Sequence, residues 1–410
     1  MKTKYFRHTH WANQLILLSG LLFGMVPIPS SAQSPVDLRA EVHKPLLAAQ
    51  DALKNNQPDT ALNFTRDALS VANLTTGERV IILRLQAVAG IRAKKWDVAK
   101  AALDALVASP DVAVADRLPL LETLMSVAQQ SKDNERLVKT ASAYLKIRPG
   151  NSSVRVVMIQ TLSLMGDHKQ VVSEILEKLR LDTEAGAKTP EQELRMLAVS
   201  YRQLKDNQGY QSTLRRLLDA YPTKAYWAEV IQRMAQQPNL GPRAELDLYR
   251  LLEQTNNFEE VAEYLEMADL ATKVGLPAEA VRILSKGLDR GVLGKGVDVA
   301  AHKKLLADVQ KKAQDDARVF SQLEKTANDV VAWSAVADVY FSQQNWSAAH
   351  LAYAKALDLG VSKRENELRL HDAISLIQAG QKDNAKTQLA NIKGDVFWVD
   401  LASLWGILAR

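Results

Sequence analysis

The stretch "VAWSAVADVYFSQQNWSAAHLAYAKALDLG", Val331 to Gly360, reads as two amphipathic helices separated by a short polar break. In its second half Trp346, Ala349, Tyr353 and Ala356 follow at offsets of 3, 4 and 3, so a helical turn stacks them on one face. A helix facing a generic core fills that face with Leu and Ile. Large side chains alternating with small ones instead predict a neighbouring helix that approaches at the alanines, with the aromatics packed beside the contact. The first half supplies that neighbour, with Trp333, then Val336 and Ala337, then Tyr340.

The spacing returns along the chain. It is found at Ala61 and Ala68; Ala99, Leu103 and Leu106; Leu137, Ala141 and Tyr144; and Val171 and Ile175. It continues at Tyr210, Leu214 and Leu217; Ala244, Leu248 and Leu251; Ala280 and Leu284; Ala317 and Phe320, a poorer match; and Ala385, Leu389 and Ile392. From 61 to 385 there are nine steps, a mean period of 36 residues. Such a period predicts a stack of about ten helical hairpins rather than one compact core. Breaks such as "KNNQPD", "RAKKW", "QQSKDN" and "QAGQKDN" supply helix ends and tight turns, and Pro242 and Pro277 sit where second helices would begin. No alternating apolar and polar run of useful length predicts a strand.

These units resemble the tetratricopeptide (TPR) pattern: a bulky residue, a large and small pair, an aromatic, then an alanine and an aromatic on the second helix. The same pattern covers Leu194, Leu197, Ala198, Tyr201, Tyr210, Leu214, Leu217 and Pro222, and also Ala268, Ala271, Gly275, Ala280 and Leu284. The resemblance implies an all-α, right-handed α-α superhelix whose concave wall is lined by first helices. It places Gln192, Arg195, Val199 and Arg202 on that wall in one unit, Ala262, Leu265 and Asp269 in another, and Val331, Ser334, Asp338 and Phe341 in a third. Arg195 and Arg202 lie two turns apart on one face and are spaced to clamp a carboxylate. They read equally well as solvated arginines.

At the N-terminus, Lys2, Lys4 and Arg7 precede the apolar "LILLSGLLFGMV" (Leu15 to Val26) and then "PIPSSAQS", the order of a secretory signal peptide cut after Ala32. The twelve residues of this stretch, as a helix, reach about 18 Å, short of a hydrocarbon core of roughly 30 Å. The expected organisation is therefore a signal peptide, 1–32, and a solenoid over 33–410. Removing Lys2, Lys4 and Arg7 from 52 basic side chains leaves 49 against 47 acidic ones, which shows no net pull toward nucleic acid or acidic membranes. With no cysteine, stability must come from apolar packing, and a periplasmic location is expected.

Catalytic signatures are missing. His43, His168, His302, His350 and His371 form no HExxH or similar metal motif, and "GLDRGVLGKG" (Gly287 to Gly296) lacks the spacing and the Ser or Thr of a phosphate loop. There is no GxSxG elbow, and pairs such as Glu259 with Glu260 and Asp315 with Asp316 sit on polar faces. Lys303, Lys304, Lys311 and Lys312 read as a solvated face or as a patch for an acidic partner. Neither an enzyme, nor a metal, nor a cofactor is expected.

Past residue 220, "YPTKAYWAEVIQRMA", "AEYLEMADLATKVGLPAEAVRILSKGLDRGVL" and the opening stretch resemble periplasmic TPR proteins found with TonB, ExbB and ExbD. The likeness is best over about 190–410 and is generic before it. It implies an accessory scaffold that binds a protein partner in TonB-dependent outer-membrane transport. The alternative is an envelope protein that uses the groove on glycan or peptidoglycan strands.

Overall fold

The computed structural model describes residues 38–360 and 363–410, so the signal peptide and its cut lie outside the described residues. Among the described residues there are twenty α-helices and no strand. The described residues divide into two compact units, one up to residue 189 and one from residue 190 on.

The first unit is four hairpins: α1 (Ala40–Lys54) with α2 (Pro58–Leu69), α3 (Thr76–Arg92) with α4 (Trp96–Ala108), α5 (Val114–Gln130) with α6 (Asn134–Ile147), and α7 (Ser152–Met165) with α8 (His168–Glu184). Small residues sit where paired helices meet. Ala49, Ala52, Ala61 and Ala89 share one apolar cluster, and Ala87, Ala99, Leu103 and Leu106 share the next. α3 and α4 approach closely, since a Cβ on Gly90 would lie 3.0 Å from the backbone nitrogen of Ala99.

The second unit opens with three more hairpins: α9 (Glu191–Gln203) with α10 (Asn207–Ala220), α11 (Lys224–Ala235) with α12 (Pro242–Gln254), and α13 (Val261–Lys273) with α14 (Pro277–Asp289). The long α15 (Val299–Thr326) follows. Two hairpins and a final helix complete it: α16 (Val330–Ser342) with α17 (Trp346–Asp358), α18 (Glu365–Gln378) with α19 (Lys382–Ala390), then α20 (Val396–Leu408).

Every one of these nine hairpins turns through a single left-handed residue: Asn56, Lys94, Lys132, Gly166, Lys205, Asn239, Gly275, Gln344 and Gly380, with φ between 55° and 83°. In eight of them, all but the α11 to α12 hairpin, the next residue then donates its N–H back to a carbonyl of the first helix, as Lys95 does to Gly90 (2.9 Å) and Asn345 to Tyr340 (2.9 Å). That same next residue often caps the second helix, because the side chains of Asp133, Asp206 and Asn345 accept the N–H three residues on. Pro242 and Pro277 stand at the first position of α12 and α14, as expected.

The opening stretch folds as read. Ala337, Ala349, Tyr353 and Ala356 are fully buried between α16 and α17, and Ala268 and Ala280 are closed off in the same way between α13 and α14. Ala198 is buried on α9, Trp333 and Tyr340 are half-buried, and Pro222 lies exposed in the connection after α10. Tyr201 lies over Gly209, where any Cβ would collide with its ring.

One departure reshapes the second unit. Where a hairpin around Ala317 and Phe320 is expected, the chain forms one 28-residue helix, about 42 Å long. No Gly, Pro or Asn occurs between Val299 and Thr326 to stop it. Successive helices reverse direction, so a single helix in a series of pairs changes the parity. First helices α16, α18 and α20 therefore run the same way as the earlier second helices α10, α12 and α14.

That parity allows late helices to lie alongside early ones in parallel. Arg243 meets Glu367 at 3.0 Å, Asp247 meets His371 at 2.8 Å, and Gln254 meets Gln378 at 2.9 Å, each pair 124 residues apart. At the ends of the unit, α10 and α20 are joined by Arg215 with Asp400 (2.5 Å) and by Asp219 with Arg410.

Candidate functional site

The expected wall residues fall into two groups. On α9, Gln192, Val199 and Arg202 are exposed and Arg195 is half-buried, so the four form one accessible face. Arg195 and Arg202, seven residues apart, are separated by about 10 Å along the helix. Nearby, the Arg233 guanidinium stacks 4.2 Å from the Tyr210 ring and pairs with Glu229 at 2.9 Å. On α13, Ala262 and Asp269 are exposed and Leu265 is half-buried, with Asp269 paired to Lys273.

On α16 only Val331 is exposed; Ser334, Asp338 and Phe341 are buried. The reason is the parity of the fold, which lays α12 and α18 over the face that the TPR pattern assigns to an open wall. Asp338 and Phe341 are thus engaged by the chain itself.

The buried cluster there is ionic. Arg250 grips Glu279 with two parallel bonds of 2.9 and 2.6 Å and donates to Asp247 at 2.7 Å. His371 Nε2 reaches the same Asp247 oxygen at 2.8 Å, while its Nδ1 faces Asp338 at 3.8 Å. Asp338 also accepts from Tyr353 (2.9 Å), Arg364 (2.8 Å) and Arg243 (3.1 Å). Glu367 takes Arg364 at 2.6 Å and Arg243 at 3.0 Å. Phe341 stacks on the His371 ring at 4.9 Å, and the Arg250 guanidinium lies 4.8 Å from the Phe341 ring.

Charge balance accounts for the protonation states. Burial works against a charge on His371, yet Asp247 and Asp338 outweigh it and raise its pKa to about 9. Burial likewise opposes charge on Asp338, but His371, Arg364 and Arg243 hold it well below the usual carboxylate range. With His371 protonated, the carboxylates of Asp247, Glu279, Asp338 and Glu367 face the cations of Arg243, Arg250, Arg364 and His371, so these eight groups balance, and Arg282 adjoins them at 3.9 Å from Glu279. Burial pushes the Tyr353 hydroxyl well above its ordinary value, and Asp338 adds to that. A second histidine pair stands apart, where His350 Nδ1 meets Asp372 at 2.5 Å; burial raises Asp372 although His350 opposes it.

Sequence reasoning missed this cluster because each member resembles a solvated charge. One signal was present: Arg243, Asp247, Arg250 and Gln254 recur at offsets of 4, 3 and 4 on a single face of α12, a fully polar stripe on a helix whose other faces carry leucine.

Each unit is built of helical hairpins whose buried small residues follow the spacing that resembles the tetratricopeptide pattern. No family model matches the chain, and no curated protein does. Among solved structures, a tetratricopeptide repeat protein from Parabacteroides merdae ATCC 43184 aligns over 82% of this chain and 99% of its own, at 10% identity and a TM-score of 0.29. A chain of the Naa15/Naa10 structure bound to HypK-THB aligns over 85% of this chain and 63% of its own, at 11% identity and a TM-score of 0.35. Yeast Tom70 aligns over 89% and 94%, at 12% identity and a TM-score of 0.25.

The remaining candidates take ordinary places. Among the described residues no group of His, Asp or Glu is arranged to hold a metal ion. His302 accepts the Gly294 N–H at 3.2 Å, and of the glycines in "GLDRGVLGKG" Gly287 is buried within α14 while Gly291, Gly294 and Gly296 turn the chain toward α15. Lys303, Lys304, Lys311 and Lys312 are exposed on α15. No helix among the described residues is long and apolar enough to cross a membrane.

Proposed function

We propose that this chain is an exported, non-catalytic scaffold that binds a protein partner through the accessible face of α9. The observation that carries this reading is the exposed row of Gln192, Val199 and Arg202 on one face of α9, with Val199 itself 41% exposed and the half-buried Arg195 at its edge. Such a face suits an extended or helical segment that offers a carboxylate to Arg202 and an apolar side chain to Val199. The N-terminal sequence supports export to the periplasm, and the likeness over 190–410 supports a partner among the TonB, ExbB and ExbD components of outer-membrane transport.

Cross-linking of the exported protein in intact cells, followed by identification of the captured chains, tests this reading. Capture of envelope proteins that is lost in the double variant Arg195→Glu, Arg202→Glu supports it. Retention on purified sacculi, abolished by the same variant, would instead establish a glycan-binding protein.

A further inference from the structure

We infer that the α12 and α18 seam is a separable joint, with α12 acting as an internal occupant of the inner wall of the last two hairpins. The side chains brought together there are polar, Arg243, Asp247, Arg250 and Gln254 on α12 against Glu367, His371 and Gln378 on α18, with Phe341 of α16 the one ring lying against both Arg250 and His371. An apolar interface loses its driving force only by exposing hydrocarbon to water. Charged surfaces regain hydration when they part, so an ionic seam opens with far less penalty provided that both sides are exposed together.

The geometry around the seam fits a hinged body. On one side, α9 to α14 form three hairpins, and on the other, α16 to α20 form two hairpins and a final helix. Between them runs α15, most of whose surface is exposed, with only His302 and Val309 buried. The second closing contact, between α10 and α20, consists of the ion pairs Arg215 with Asp400 and Asp219 with Arg410, all four side chains at least 30% exposed. Opening the joint uncovers Ser334, Asp338 and Phe341, the positions that the TPR pattern assigns to a binding wall.

His371 is the proton-sensitive element. It is faced by Asp247 and Arg250 from α12, by Asp338 and Phe341 from α16, and by Tyr353 from α17. Arg243, Arg364 and Glu367 adjoin Asp338, and Glu279 of α14 adjoins Arg250. Loss of the His371 proton leaves these groups with one uncompensated negative charge across the seam, which favours parting.

The absence of cysteine makes the test direct. Gln254→Cys and Gln378→Cys in the full chain take spin labels whose separation is read by pulsed electron resonance. At pH 7 one short distance is expected. At pH 10, and at pH 7 in the added double variant Arg215→Ala, Asp219→Ala, a second and longer population is expected, with helix content by circular dichroism unchanged. A single short distance under every condition overturns the joint. So does a longer distance that appears only with loss of helix, because the seam would then be core that unfolds with the unit. Neither outcome bears on the α9 surface, whose variants are separate.

Discussion

Asp247 and His371 lie 124 residues apart in the chain and 2.8 Å apart in space, joining the second hairpin of the unit to its last. The pKa of His371 is raised from its ordinary 6.5 to about 9 in the folded chain. The stability this contributes is fully present below about pH 6.5 and is lost as pH rises through about 9. The melting temperature of the second unit is therefore expected to fall between pH 7 and pH 10. His371→Gln should be less stable at pH 7 and flatter over that interval, which a series of calorimetric melts would show.

The first unit responds at the other end of the scale. Glu78 bonds Arg39 at 2.8 Å and closes a capping box with Thr75 at the start of α3, and its pKa is lowered to about 2, chiefly by Arg39 and then by the Thr75 backbone. A depressed carboxylate contributes stability above its unfolded pKa and loses it as pH falls through the folded value. Acid titration of the wild type should thus show a loss between about pH 4.5 and pH 2 that Glu78→Gln lacks.

Ala349 is completely buried where α17 meets α16. Ala349→Leu forces the two helices apart and should cost about 1 to 3 kcal/mol in urea unfolding. An unchanged midpoint would contradict close approach at this alanine.

Gly90→Ala inverts the usual rule for helices. Alanine is favoured over glycine in a helix interior by about 1 kcal/mol. Here the added methyl would sit 3.0 Å from the Ala99 nitrogen and 3.2 Å from its Cα, both backbone atoms that move only with the whole of α4. The variant should be no more stable than the wild type, whereas Gly406→Ala in α20, whose Cβ would meet only the Leu389 Cδ1 at 3.9 Å, carries no such clash and serves as the comparison.

Lys94 turns the α3 to α4 hairpin with φ of 55°. A left-handed residue with a side chain costs roughly 1 to 2 kcal/mol, part of which glycine gives back through the entropy of the unfolded chain. Lys94→Gly should raise stability by about 0.5 to 1 kcal/mol, read from the same urea curves.

The hairpins were legible because their determinants are local. A small residue at Ala99 or Ala349 and a turn such as "RAKKW" or "SQQNW" each act within one period, and the structure uses them in nine hairpins alike. The continuity of α15 was harder to see, since Ala317 and Phe320 mimic the repeat spacing while the missing helix breaker is a negative signal. Least legible was the fate of Asp338 and Phe341. Their burial depends on side chains from α12 and α18, brought there by the direction in which the late helices run, and no local pattern encodes a contact between residues 243 and 367.

The odd helix also limits how such a body can lengthen. Copying a whole hairpin between α14 and α16 preserves every direction of travel but shifts α18 away from α12 by one repeat, leaving Asp247 and Arg250 opposite side chains not matched to them. Copying one helix alone would turn α18 end over end, so that Arg243 and Gln254 faced the wrong termini. The second unit thus has a set size, whereas a stack of pairs without a singleton can gain or shed members freely.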